Sequence, residues 1–217
     1  MKMRIASLTI LCLALAAIPA LGQSWSYDNG PINGSTDAWT INFGYIVSDT
    51  FAAGGSTTGF SLGVWEFTGD SVTSVDWSIT SAENGGTVFG SGTAKKGGGA
   101  GGTLVDTFIS SNQYGYDIDN IAVSGLSVAT SSGTSYWLNL QNAVVPSGNP
   151  VFWDENSGKG CGGSGCPSIA SESAIGTIPS EAFTIGGGSV TTPEPGSILL
   201  FGSGILGLAG VLRRKLL

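Results

Sequence analysis

Seven carboxylates on or beside candidate strands give this sequence its means of doing chemistry: Glu66, Asp76, Asp106, Asp117, Asp119, Asp154 and Glu155. Hydrolysis of a glycosidic bond needs two of them several ångströms apart on facing strands, one kept protonated as the acid and the other ionised. The chain has no histidine, which excludes His-based triads, His-ligated zinc and the usual proton shuttle at neutral pH. Glu66 and Asp76 each sit beside a tryptophan, as Asp154 does beside Trp153, but alternation sends neighbours on a strand to opposite faces. Acidic residues scattered over turns and solvent faces explain the set more simply than a catalytic pair. The expectation is a protein that is not an enzyme and carries no cofactor.

The other candidate chemistries are binding chemistries. Asp154-Glu155-Asn156 and Asp117-x-Asp119-Asn120 offer hard oxygen ligands of the kind calcium prefers. Neither has EF-hand spacing, and exposed turn carboxylates are the simpler reading, so no metal is expected. Six Trp, five Tyr and nine Phe are enough to include a platform for sugar rings, although Trp39, Trp65, Trp77 and Trp137 lie inside apolar strands and read as core. Trp153, followed by Asp154, Glu155 and Asn156 at a strand end, is the candidate glycan contact. Ice binding calls for threonines at a fixed interval, which this sequence lacks. The run KKGGGAGG at 95–102 has no Gly-Lys-Ser/Thr end leading into a helix, so it reads as a flexible loop between strands and not as a phosphate cradle. Cys161 and Cys166 bracket Gly-Gly-Ser-Gly and can close a local disulfide in an oxidising compartment; two thiolates without histidine are too few for structural zinc.

The elements that must position these residues are strands. In AWTINFGYIVSDTFA, Trp39, Ile41, Phe43, Tyr45 and Val47 alternate with polar or small residues, the pattern of a half-buried strand. Further candidates are 59–67, 71–79, 86–94, 103–109, 118–129, 136–144, 150–155 and 182–186. Turn signals at Thr68-Gly69-Asp70, Asn84-Gly85-Gly86 and Ser131-Ser132-Gly133 fall where antiparallel hairpins need them. About nine strands with no fixed-length repeat predict an all-β domain at 23–188, an antiparallel, jelly-roll-like β-sandwich. The 36 glycines among 217 residues, with no Gly-X-Y period, fit many tight turns.

The two ends read as addresses. Lys2 and Arg4, the apolar run Ile5 to Ala17 and the small residues Ala20-Leu21-Gly22 form an export signal over 1–22, with signal peptidase cleaving between Gly22 and Gln23 after passage through the Sec machinery. Cys12 leaves with that signal. Between Asp28 and Glu194 lie all fifteen acidic residues and only three basic ones, a net charge of −12, so nucleic acid is excluded as a partner. After a linker at 189–192, Gly196 to Leu212 is an uncharged run of seventeen residues, the lower limit for a transmembrane helix crossing about 30 Å of hydrocarbon. Arg213, Arg214 and Lys215 follow and hold that end in the cytoplasm. Pro193 and Pro195 forbid regular helix before it and keep Glu194 extended.

Pro193-Glu194-Pro195, the short apolar segment and the basic end, together spanning 193–217, resemble the PEP-CTERM sorting signal of exported bacterial proteins. The resemblance implies that Pro193, Glu194 and Pro195 are recognised by exosortase, a membrane enzyme that cleaves near the motif and passes the protein to the cell surface or the exopolysaccharide matrix. GVWEFTGDSVTSVDWSI, GTSYWLNLQNA and VFWDENSG are also similar to short PEP-CTERM proteins of unassigned role, which supply no catalytic residue. Such tails occur on ice-binding and many unrelated domains, so the tail says nothing of the domain's ligand. The expectation is a non-catalytic surface or matrix protein, held briefly in the inner membrane before processing. A carbohydrate-binding module is the alternative, and an acid-pair glycosidase or an ice-binding protein more distant ones.

Overall fold

The computed structural model describes residues 25–156 and 169–187, and every regular element among them is a strand. The strands are β1 (Trp25–Asp28), β2 (Ala38–Thr40), β3 (Ile46–Ala52), β4 (Thr57–Phe67), β5 (Ser74–Ala82), β6 (Gly85–Lys95) and β7 (Thr103–Ser111). They continue with β8 (Tyr116–Val128), β9 (Ser135–Val144), β10 (Phe152–Asp154), β11 (Ala170–Glu172), β12 (Gly176–Ile178) and β13 (Phe183–Gly187). The export signal, Cys161 and Cys166, the linker and the tail from Pro193 onward lie outside the described residues. Among the described residues no helix is long and apolar enough to cross a membrane.

All thirteen strands join one curled mixed sheet in the order β1-β13-β4-β8-β7-β6-β5-β9-β3-β11-β12, with β10 pairing both β2 and β4. The all-β class is as expected, but the strands hydrogen-bond continuously where two separate sheets were expected. The continuity rests on one parallel pair, Lys95 with Thr103, between β6 and β7. On either side of it the sheet forms two limbs whose inner faces meet. Phe60 of β4 packs edge-on to Trp77 of β5 at 6.2 Å, and Tyr27 of β1 lies 6.2 Å from Phe51 of β3. Phe60, Leu62 and Val64 of β4 and Ile121 and Val123 of β8 fill the interior at alternate positions. Each such fully buried side chain contributes about 1.5–3 kcal/mol relative to exposure.

The glycine-rich stretch is the corner of this curl. Gly101 lies so close to β6 that a Cβ there would come within 2.3 Å of the Thr93 nitrogen, and its carbonyl accepts a 2.7 Å hydrogen bond from Trp77 Nε1. The loop expected at 95–102 is therefore present, and its composition is set by close packing.

Two expectations are corrected. The single strand through residues 39–47 is two strands, β2 and β3, because Phe43 (φ 55°) and Gly44 (φ 89°) turn the chain in the left-handed region, closed by a bond from Tyr45 N–H to Asn42 O at 3.1 Å. Phe43 and Tyr45 are consequently exposed. Trp77 is core and Trp39 packs partly buried against it. Trp65 is buried at 6% exposed, as expected, although it packs on the other side of β4 from the central cluster because Val64 and Glu66 take the inward positions; Trp137, between inward-facing Tyr136 and Leu138, is only half-buried.

Candidate functional site

The quartet singled out by the sequence lies at β10 and just beyond it. Trp153 is 0% exposed; its Nε1–H donates to Ala182 O at 3.1 Å and its ring meets Phe183 edge-on at 5.5 Å. It fills the core and offers no face to a sugar. Asp154, also buried, accepts from Trp65 Nε1 at 2.6 Å, from Asn33 N–H at 2.8 Å and from Gly34 N–H at 3.0 Å. Burial raises its pKa, and those hydrogen bonds hold it back. Burial likewise raises Glu155. Asn156 donates to Ser180 Oγ at 3.2 Å and Glu181 O at 3.3 Å. The quartet therefore ties strands and loops together around a buried polar cluster.

What Asp154 holds in place is a cleft on the outer face of β4. The loop between β1 and β2 crosses that face over Gly63, where a Cβ would come within 2.7 Å of Ile32. Beside it Trp65, Tyr114, Tyr116 and Phe152, with Thr36, Asp37 and Ala38 on the rim, line a cleft of about 380 Å³. The rings form one cluster. Tyr114 stacks on Trp65 at 5.8 Å and 18°, Tyr116 tilts against Trp65 at 5.8 Å, and Phe152 meets Tyr116 edge-on at 5.7 Å. Tyr114, from the turn between β7 and β8, is 56% exposed. The pairing of Phe152 with Trp65 across β10 and β4 builds the wall.

Sequence reasoning came within one residue of this cleft. The alternation that sends Trp153 inward sends Phe152 outward, but the direction becomes readable only once the pairing partner is known. Tyr114 sits in a turn without periodicity, and Thr36 and Asp37 come from far along the chain.

Of the seven carboxylates, the structure gathers three: Glu66 of β4, Asp106 of β7 and Asp119 of β8, with one oxygen of each within 4.8 Å of the others. They extend the interior rows of their strands, in register with Val64 opposite Asp119 and Asp106 opposite Ile121. Ser71 Oγ donates to Asp106 Oδ2 at 2.6 Å, and Lys96 Nζ lies 3.4 Å from the same oxygen. Burial raises the Glu66 pKa to about 8, with the charges of Asp106 and Asp119 adding to it. Asp119 rises to about 7, by burial and then by Asp106. The other candidates are fixed elsewhere. Asp76 accepts from Thr93 Oγ1 at 2.6 Å and Asn142 Nδ2 at 2.9 Å, and Asp117 from Ser111 Oγ at 2.9 Å. Asn120 accepts from Ser61 Oγ at 2.5 Å.

Comparison with known proteins bears on the tail. Residues 191–215 match the family model described as the PEP-CTERM protein-sorting motif. This is the stretch in which the resemblance was read, and it marks the chain as exported, processed by exosortase and sorted to the cell surface. No curated protein matches the chain.

Proposed function

We propose that this PEP-CTERM protein, an exosortase substrate by its sorting motif, is a non-catalytic component of the cell surface or exopolysaccharide matrix that contacts polysaccharide through the cleft at Trp65, Tyr114, Tyr116 and Phe152. The aromatic lining of that cleft carries the reading. Sugar rings present apolar C–H faces that rest against aromatic faces, while a few polar groups fix their orientation. Thr36 and Asp37 on the rim supply such groups. The absence of a role in catalysis is supported by the burial of Glu66, Asp106 and Asp119, which keeps a polymer away from them.

In this reading the N-terminal signal is used by the Sec machinery and signal peptidase, and the segment 196–212 holds the protein in the inner membrane until exosortase acts. Cys161 and Cys166 pair after export. The two limbs of the sheet stand as the halves of an open, jelly-roll-like sandwich.

The test is binding of the full-length protein to exopolysaccharide from the producing cells, by co-sedimentation or calorimetry, for wild type and for Tyr114→Ala and Phe152→Ala. Both variants should keep the wild-type circular dichroism and lose binding at least tenfold. Wild-type protein that binds no polysaccharide, or variants that bind equally well, would overturn the assignment of the cleft.

A further inference from the structure

The three gathered carboxylates are an unusual thing to bury. Glu66 is 0% exposed, and neither of its oxygens receives a well-formed hydrogen bond, although the Val72 backbone lies close enough to oppose the rise in its pKa. Asp106 Oδ1 and Asp119 Oδ1 are likewise buried without a donor from outside the cluster, the two carboxyls facing each other, which makes four such oxygens in one cluster. A buried carboxylate oxygen without a donor costs far more than a surface one, so native interiors pair it or neutralise it. Among the described residues the ammonium beside them is Lys96, which contacts Asp106 Oδ2 and Ser71 and offsets the charge of Glu66 and Asp119 only from a distance. With all three acids ionised, the cluster and Lys96 together leave two uncompensated negative charges.

We propose that Glu66, Asp106 and Asp119 bind one divalent cation, calcium by the chemistry of the site. Oxygen donors without histidine or thiolate favour a hard ion over zinc or copper. Glu66 offers both oxygens, and Asp106 and Asp119 one each, on three strands that are hydrogen-bonded neighbours. Calcium tolerates the irregular geometry of such a set, whereas magnesium demands a near-ideal octahedron. The charge of one divalent ion equals the charge the cluster lacks. Bound there, it ties β4, β7 and β8 together at the end of the interior, on the opposite face of β4 from Trp65. This inference stands apart from the polysaccharide cleft, since the cleft and the carboxylate cluster share no residue.

The experiment is calorimetric titration of chelator-treated full-length protein with calcium chloride, paired with thermal melts with and without the ion. One calcium per chain should bind, and saturating calcium should raise Tm by about 5 °C or more. Asp119→Asn and Glu66→Gln, each near-isosteric and less repulsive, should fold in chelator at least as stably as wild type. Each should bind calcium at least tenfold more weakly and lose most of the Tm shift. Wild type that takes up no calcium overturns the proposal, and so does uptake unchanged in both variants, which would place the ion elsewhere.

Discussion

Trp65 and Asp154 are joined by a 2.6 Å hydrogen bond from indole Nε1 to carboxylate Oδ1. The bond links the largest ring of the aromatic cleft to the group that also receives the Asn33 and Gly34 N–H groups. One buried carboxylate thus holds β4, β10 and the loop between β1 and β2 in a common geometry. Asp154→Ala leaves the indole and both backbone donors without their acceptor. The expected loss is about 2–4 kcal/mol in urea denaturation, with Asp154→Asn milder because it keeps one acceptor oxygen. Equal midpoints for wild type and Asp154→Ala would sink this account of the loop.

Phe43 provides a test of a turn that the sequence disguises. An exposed phenylalanine at φ 55° gains little from packing and stores strain that asparagine tolerates better. Phe43→Asn is therefore expected to leave stability unchanged or raise it by up to about 1 kcal/mol. A loss of about 3 kcal/mol or more, the cost of removing a core aromatic, would restore the reading of residues 39–47 as one buried strand. Thermal melts of the two proteins decide it.

That residue also marks where the sequence stops being legible. Hydrophobic alternation located β4, β8 and β9 well, because each has one face on the interior and a one-residue error would bury polar groups. It failed at Phe43, where an apolar residue happens to occupy a turn, and at β1, β11 and β12, which are too short to carry a period. Lying inside an apolar strand was enough to read Trp65 as buried, which it is, but not to read Trp137, which is half-buried, and it did not tell which side of β4 Trp65 packs on. The carboxylate trio was present in the sequence as three names among seven. Only the pairing of β4 with β8 and of β8 with β7 selects them, and no local pattern encodes that pairing.

Glu181 predicts how stability depends on pH. It is fully buried with both oxygens unpartnered. Burial first, and then the charges of Asp49, Glu155, Asp154 and Asp37, push its pKa well above 4.5. Below about pH 4.5 both the folded and unfolded chains hold the proton, and nothing is lost. As pH rises through that value the unfolded chain releases its proton first, so stability falls, at most by about 1.4 kcal/mol per pH unit, until the folded pKa is passed. Glu181→Gln has no proton to release. Urea midpoints measured between about pH 5 and pH 8 should decline less steeply in the variant, which should be the more stable at neutral pH. Parallel declines would show that Glu181 does not titrate on unfolding.

The sorting motif makes the last prediction, at the level of the cell. The match over residues 191–215 places the tripeptide Pro193-Glu194-Pro195 in the recognised signal, and proline chemistry disfavours helix at such a tripeptide. Replacing Pro193, Glu194 and Pro195 together by alanine permits helix to extend back from the apolar run and removes the recognised side chains. Native wild-type protein should have a mass truncated near residue 195 and be found outside the cell. The triple variant should keep its full tail and fractionate with membranes. Intact mass spectrometry of both fractions decides between them. If wild type also keeps the tail and stays in the membrane, the motif is a linker on an anchored protein, and the polysaccharide partner should then be sought in the periplasm.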